Sequence, residues 1–124
     1  MKKIAFIITL IFGVSIGFIV LGCAPKSGNY GKPLTEKEAT TVAELFKAPD
    51  KFAGKIVRLE GKIVQECPSG GWFMLKDDTG VVLVDLHPSE VAIPQAVNHR
   101  VATQGKVKKE YSQISLVGEG VDLK

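Results

Sequence analysis

Residues 55–86 carry the pattern that most restricts the fold of this chain. Within them, residues 55–66 alternate apolar and polar side chains with a period of two, which is typical of a half-buried β-strand. The predicted inward face consists of Val57, Leu59, Gly61 and Ile63. Two further apolar runs, 72–76 and 81–86, flank an Asp-Asp-Thr-Gly turn sequence and predict a hairpin. We therefore expect a three-stranded meander that forms the first half of a small barrel.

Three details of this stretch predict how it packs. A glycine on the inward face, Gly61, indicates a sharply coiled strand that another backbone approaches closely. Gly80 is expected to supply a positive φ in the turn. The run 81–86 is apolar at nearly every position, so we expect the barrel interior to cover one of its faces and an N-terminal helix to cover the other.

The remaining chain predicts one helix and two more strands. An apolar stripe formed by Val42, Leu45 and Phe46 predicts a helix over about residues 40–47. The spacing of Thr35 and Glu38 is that of a capping box. Strands are expected over about residues 100–109 and 114–122. In the first of these two strands, the expected inward residues are Val101, Thr103, Gly105 and Val107, and the expected outward residues are Ala102, Gln104, Lys106 and Lys108.

One helix followed by five strands, with a non-hairpin crossing before the fourth strand, resembles the OB-fold, a five-stranded Greek-key barrel. Residues 42–117 resemble the small exported bacterial OB-fold proteins, a family with a tRNA-anticodon-binding-like domain. The matching segments are Val42-Ala43-Glu44-Leu45, residues 49–55, residues 57–63, residues 72–80 and Gly105-Lys106-Val107. The resemblance implies an all-β domain with one N-terminal helix, preceded by a signal-peptide helix and a linker. It implies no particular ligand, because the matched residues are turn and core positions.

The N-terminus has the features of an export signal. Lys2 and Lys3 precede an apolar run over residues 4–21, and Val20-Leu21-Gly22-Cys23 resembles the bacterial lipobox. That resemblance implies lipidation of Cys23, cleavage before it, and a domain tethered to the cell membrane or the outer membrane and facing the periplasm or the exterior. An uncleaved signal anchor is the alternative. The expected segments are a signal peptide over 1–22, a lipidated tether over 23–34 and an OB-fold domain over 35–124.

Charge and motifs exclude several classes of function. The formal net charge is +3, and two of the basic residues, Lys2 and Lys3, belong to the signal peptide. A nearly neutral domain has no strong field to attract a polyanion, which disfavours nucleic acid as the partner. The chain has no phosphate-binding glycine loop, no nucleotide fingerprint and no nucleophile spaced with a base. We expect no catalysis, no metal site and no cofactor.

Cys67 has the most chemically reactive side chain within residues 55–86. With Cys23 lipidated it has no intramolecular disulfide partner, and some relatives carry a second cysteine where this chain has Gly71. Two interpretations stay open: an inert residue at a strand end, or a reactive or metal-handling thiol. The second requires a lowered pKa, and no basic residue of the 67–71 insert supplies one.

OB-folds commonly bind their ligands on the outer face of the second and third strands and on the adjoining loops. The same surface is the candidate binding surface of this chain. Its candidate residues are Cys67, Trp72, Met74, Lys76, Lys106, Lys108 and Tyr111. The expected partner is an oligosaccharide, a peptide or another envelope protein, with an oligonucleotide as the alternative by fold analogy. The competing interpretation makes Trp72 a barrel cap and the lysines a solvated face.

Overall fold

The structure, a computed structural model, describes residues 27–124. The predicted signal peptide, Cys23 and the first residues of the predicted tether lie outside that range. Within it, no helix has the length and apolarity needed to cross a membrane. The strands are β1 (Gly28–Gly31), β2 (Ile56–Glu66), β3 (Trp72–Lys76), β4 (Val81–Asp85), β5 (Arg100–Glu110) and β6 (Gln113–Leu123), and the helices are α1 (Val42–Lys47), α2 (Pro49–Phe52) and a 3₁₀ turn (His87–Ser89).

Five of the strands close into a barrel. β2 pairs with β5 through its first half and with β3 through its second half, and β3 pairs with β4. β6 joins the two sides, because it pairs in parallel with β4 and antiparallel with β5. This closed Greek-key arrangement confirms the predicted OB-fold class. The strands β2 to β6 begin and end within one residue of the limits expected from the sequence.

The barrel interior is filled by the residues that the period-two pattern placed there. The core includes Val57, Leu59, Ile63, Phe73, Leu75, Val82, Val84, Val101, Val107, Leu116 and Leu123. Gly61 fulfils its predicted role, since a Cβ at this position would lie 2.3 Å from the carbonyl oxygen of Lys76. The coiled β2 strand therefore passes from one partner strand to the other at a point where only glycine fits.

The predicted tether is partly wrong, because residues 28–31 form β1. This strand pairs with the open edge of β6, with Gly28 opposite Leu123 and Gly31 opposite Gly120. Pairing with an exposed edge satisfies backbone groups that would otherwise face solvent. The partly buried ring of Tyr30 packs against the core.

The segment after β1 also changes the exposure of β5. Ala102 and Gln104 were expected to face solvent, but they are 2% and 7% exposed. The side-chain oxygen of Gln104 accepts hydrogen bonds from the backbone N–H groups of Thr35 and Glu36 at 2.8 and 2.7 Å. The crossing chain covers the predicted outer face at Gln104, whose amide satisfies the crossing backbone, whereas Lys106 and Lys108 are exposed as predicted.

Helix α1 begins later than the first capping signal suggested. Thr41 is its N-cap, and its hydroxyl accepts from the backbone N–H of Glu44 while the Glu44 carboxylate accepts from the backbone N–H of Thr41. The capping box is therefore Thr41 with Glu44, and not Thr35 with Glu38. Hydrogen bonds from the backbone N–H and then the hydroxyl of Thr41 lower the pKa of Glu44. The short helix α2 follows at once, with Pro49 in its first turn.

The turn between β3 and β4 anchors α1. The Asp77 carboxylate accepts from the backbone N–H of Val42 at 2.8 Å, and the Thr79 hydroxyl accepts from that of Ala43 at 2.9 Å. Gly80 has no positive φ, contrary to expectation; its N–H donates to Asp77 at 3.0 Å, and a Cβ there would lie 3.1 Å from Val42 Cγ1. Glycine is used here for close packing against the helix.

Because α1 packs against this turn and into the core, it leaves the outer face of β4 uncovered. The expectation that both faces of this strand are covered is therefore wrong. Val81 is 40% exposed, and Leu83 and Asp85 are half-buried. Their inward neighbours, Val82 and Val84, are fully buried.

Candidate ligand-binding face

The outer surface of the β3–β4 hairpin presents four half-buried side chains in cross-strand register. Trp72 lies opposite Asp85, and Met74 lies opposite Leu83. Their neighbours along each strand point into the core, so these four side chains must point outward. We refer to Trp72, Met74, Leu83 and Asp85 as the hairpin face.

A pocket of about 320 Å³ lies on the hairpin face, and its other lining residues are Gln65 and His87. A second depression, of about 430 Å³, shares Met74, Leu83 and Asp85 and continues towards β6. It is also lined by Phe46, Val81, Lys108, Glu110, Ser112, Gln113, Ile114 and Ser115. The two together form a continuous groove with an apolar floor and polar rims, the composition typical of ligand sites.

One end of the pocket is fixed by an Asp85–His87 pair. The Asp85 carboxylate accepts from the backbone N–H of His87 at 3.0 Å and lies 2.8 Å from its Nδ1. These two contacts hold the imidazole with its Nδ1 towards the carboxylate. The imidazole lies over Gly71, where a Cβ would be 2.3 Å from Nε2. A side chain in place of Gly71 would therefore collide with the His87 ring.

The sequence did not predict this pair. The missed signal is an aspartate at a strand end two residues before the histidine, which is the spacing of an Asx-type turn. Within residues 27–124, no three His, Cys, Asp or Glu side chains converge as a metal site would need.

The structure brings together only part of the predicted surface. Trp72 and Met74 lie side by side, and Lys108 lines the groove with its Nζ 3.2 Å from Glu110. Lys76 belongs to a different groove, beside β2. Lys106 lies between Ile56 and Val117 in the strand register, and Tyr111 is 93% exposed in the β5–β6 turn.

The 67–71 insert is a compact loop that is hydrogen-bonded to the segment after β4 and the 3₁₀ turn. Gly70 donates to the carbonyl of Cys67 at 2.9 Å and accepts from the N–H of Ile93 at 3.1 Å. A Cβ at Gly70 would lie 1.9 Å from the carbonyl oxygen of Ile93, so the loop and this segment are in backbone contact. The conformation of the loop is therefore fixed by backbone contacts with the Ile93 segment, and none of its residues lines the pocket at Trp72.

Cys67 is a free, half-exposed thiol in this loop, with its Sγ 3.0 Å from the hydroxyl oxygen of Ser69. The Ser69 hydroxyl is the largest cause of a lowered Cys67 pKa, followed by the backbone N–H of Ser69, with smaller effects from those of Gly71 and Gly70. No basic residue of the insert contributes to this lowered pKa. Hydrogen bonds to the thiolate, which the sequence pattern did not reveal, have the same effect as a nearby cation.

Comparison with solved structures identifies the same fold. A hypothetical protein, YgiW from E. coli, is 24% identical with a TM-score of 0.55, and the match covers 70% of this chain and 90% of that protein. A putative aspartyl-tRNA synthetase from Leishmania major Friedlin is 15% identical with a TM-score of 0.50, over 75% of this chain and 23% of that one. No protein-family model and no curated protein sequence matches the chain. These similarities support an OB-fold barrel.

Proposed function

We propose that the chain is an envelope lipoprotein displaying a non-enzymatic OB-fold binding module, which holds its ligand on the hairpin face. The observation that carries the proposal is the set of half-buried apolar side chains, Trp72, Met74 and Leu83, that floors an open groove. Apolar groups left partly exposed in one patch are typical of binding sites. The Asp85 carboxylate accepts from His87 and orders the turn after β4. This contact fixes the shape of the binding site and does not require Asp85 or His87 to act as catalytic groups.

The charges along the groove favour an uncharged polar ligand, an oligosaccharide or a peptide, over an oligonucleotide. A phosphate backbone needs free cations along its path. The groove instead has the Asp85 carboxylate beside Trp72, and its lysine, Lys108, is within 3.2 Å of Glu110. Lys76 and Lys106, which the sequence offered for this purpose, are not among the residues that line the groove.

Fluorescence of Trp72, the sole tryptophan of the chain, tests the ligand class. We expect a saturable emission change with members of a panel of neutral tetrasaccharides and short uncharged peptides, because the indole lines the pocket. Leu83→Asp should weaken that binding by about tenfold or more, which corresponds to about 1.4 kcal/mol. The control is Val97→Ala, at a 42% exposed apolar residue outside the groove. An emission change only with dT12, an oligonucleotide of twelve thymidines, that added salt removes would instead assign the hairpin face to nucleic acid.

The anchor is tested by Cys23→Ser. If Cys23 carries the lipid, the variant should leave the membrane fraction or accumulate as uncleaved precursor, because one or more acyl chains provide the attachment. Membrane fractions and intact masses of the variant and the unmodified protein give the readout. The same membrane fraction and the same N-terminus in both proteins would contradict lipidation at Cys23.

A thiol-dependent accessory role of Cys67 is the second candidate, favoured by the hydrogen bonds to its sulfur. We expect Cys67 to react promptly with Ellman's reagent in the native protein, with a reaction pKa below that of a free cysteine. Ser69→Ala should raise this pKa and slow the reaction near neutral pH. Modification only after denaturation would identify Cys67 as inert.

A further inference from the structure

A row of cations crosses three barrel strands and the residue that follows β6. Lys62 of β2 lies opposite Arg100 of β5 on one side and opposite Lys76 of β3 on the other. The backbone N–H of Lys124 donates to the carbonyl of Arg100 at 3.0 Å, which extends the row by one residue. All four side chains are exposed, and we call them the basic row. Lys62, Lys76 and Arg100 also line one groove of about 500 Å³.

The charge of the basic row is not balanced by its surroundings. Within residues 27–124, none of its four side chains forms a salt bridge. Of the acids that line the groove, Glu60 is paired with Arg58 at 2.8 Å, which leaves the carboxylates of Asp77 and Asp78. These two and Asp122, two residues before Lys124, offset only part of the charge of the four cations. Like charges on neighbouring strands destabilise a sheet, so this arrangement indicates an anionic partner.

The basic row lies beside the point where the described chain begins. Gly28 pairs with Leu123, which directly precedes Lys124. The predicted lipid-bearing Cys23 is five residues before Gly28. Five residues of fully extended chain cover at most about 17 Å. Strands in a sheet are about 4.8 Å apart, so Lys62 is roughly 15 Å from β1 along the barrel surface. A lipid on Cys23 would therefore keep this side of the barrel within reach of the headgroups.

We propose that the basic row is a membrane-docking surface that binds anionic phospholipid headgroups and orients the tethered domain. This inference rests on the lipid anchor of the proposed function. Arginine binds a phosphate through two parallel hydrogen bonds and lysine acts as a point charge, so the row suits a layer of phosphodiesters. Along β3, Met74 is two residues from Lys76, about 7 Å, and Trp72 is four residues away, about 13 Å, so the Trp72 end of the hairpin face lies farthest from the docked row.

The test measures lysine accessibility in the lipidated full-length mature protein, reconstituted into vesicles. One set of vesicles is phosphatidylcholine, and the other contains about 30% phosphatidylglycerol as the anionic lipid. An amine-reactive ester labels the lysines, and mass spectrometry gives the extent of labelling at each position. We expect labelling of Lys62 and Lys76 to fall by about threefold or more in the anionic vesicles and to recover in about 0.5 M NaCl, because salt screens surface charge.

Lys55 and Lys106 are the matched control, since both are exposed and Lys106 is six residues from Arg100 along β5, about 20 Å away. Their labelling should not depend on lipid charge. Lys124, the other lysine of the basic row, should also be protected from labelling in the anionic vesicles. The double variant Lys62→Glu/Lys76→Glu should lose this protection of Lys124. The variant Lys55→Glu/Lys106→Glu, with the same change in charge, should retain it.

The outcomes separate this inference from the proposed function. A lipidated protein whose Lys62 and Lys76 are labelled equally in both kinds of vesicle would overturn the docking surface and leave the anchor intact. A mature protein without lipid mass on Cys23 would overturn both. Protection by dT12 on neutral vesicles, without protection by phosphatidylglycerol, would assign the basic row to a nucleic acid and overturn the lipid proposal.

Discussion

Gly61→Ala is expected to destabilise the domain by about 3 kcal/mol or more, because the added carbon has no space. Its Cβ would lie 2.3 Å from the oxygen and 2.9 Å from the carbon of the Lys76 carbonyl. Both atoms belong to the backbone, so relief requires β2 and β3 to move apart where the coiled strand changes partners. For a domain of this size, the expected fall in Tm is roughly 12 °C or more.

Thermal unfolding by circular dichroism measures this effect, with Gly80→Ala as the control. A Cβ at Gly80 would meet only the side chain of Val42, at 3.1 Å, which can adjust by a small rotation. We expect the control to cost less than about 1 kcal/mol. Equal melting temperatures for Gly61→Ala and the unmodified protein would show that the two backbones are not in contact at this position.

Asp77→Ala is expected to lower the free energy of unfolding by about 2–3 kcal/mol, because it removes charge-assisted hydrogen bonds and half of the helix cap. The carboxylate accepts from the backbone N–H groups of Val42 at 2.8 Å, Thr79 at 2.7 Å and Gly80 at 3.0 Å. The matched control is Asp78→Ala, at an exposed neighbouring aspartate, which should change stability by less than about 0.5 kcal/mol. Urea unfolding gives the free energy of unfolding of both variants. Equal losses in the two variants would show that the Asp77 hydrogen bonds do not stabilise the domain.

The same carboxylate predicts a pH dependence. Burial alone would raise the pKa of Asp77, but hydrogen bonds from Thr79, Val42 and Gly80 outweigh it and hold the pKa below its usual value. A lowered folded-state pKa means that the stabilisation is complete above the unfolded pKa, about 3.9, and is lost as the pH falls through the folded value. The stability difference between the unmodified protein and Asp77→Asn should therefore shrink below about pH 4. A difference that stays constant down to pH 2 would contradict this assignment.

The strands of the barrel were predictable because their signal is local. Alternation along β2 and β5 placed Leu59 and Val107 inside, and both are buried. Burial of Gln104 was not predictable in this way. It depends on a segment 68 and 69 residues earlier that crosses the strand, and no periodicity within β5 reports that contact. The start of α1 is set by a local capping box of Thr41 with Glu44, which has the same spacing as Thr35 with Glu38, so spacing alone did not distinguish the two. The distant Asp77 carboxylate adds a hydrogen bond from the backbone N–H of Val42, which no local pattern reports.

The candidate site was predictable only in its centre. Trp72 and Met74 alternate with buried residues on one strand, so their common outer face follows from the sequence. Lys106 and Lys108 came from another strand, β5, and residue type does not show which groove a side chain enters. Lys76 follows Met74 on the same face of β3, yet it lines a different groove, with Lys62 and Arg100. The Asp85–His87 pair depends on turn geometry after β4, which the sequence pattern does not report.

The most direct test of the binding surface uses the methyl group of Met74. The chain has two methionines, Met1 and Met74, so methyl-labelled methionine gives a simple NMR spectrum in which Met74 reports on the groove floor. During titration with the neutral ligands that change Trp72 fluorescence, we expect the Met74 methyl resonance to shift and to saturate with the same affinity. Saturable ligand binding with an unchanged Met74 resonance would contradict a site on the hairpin face.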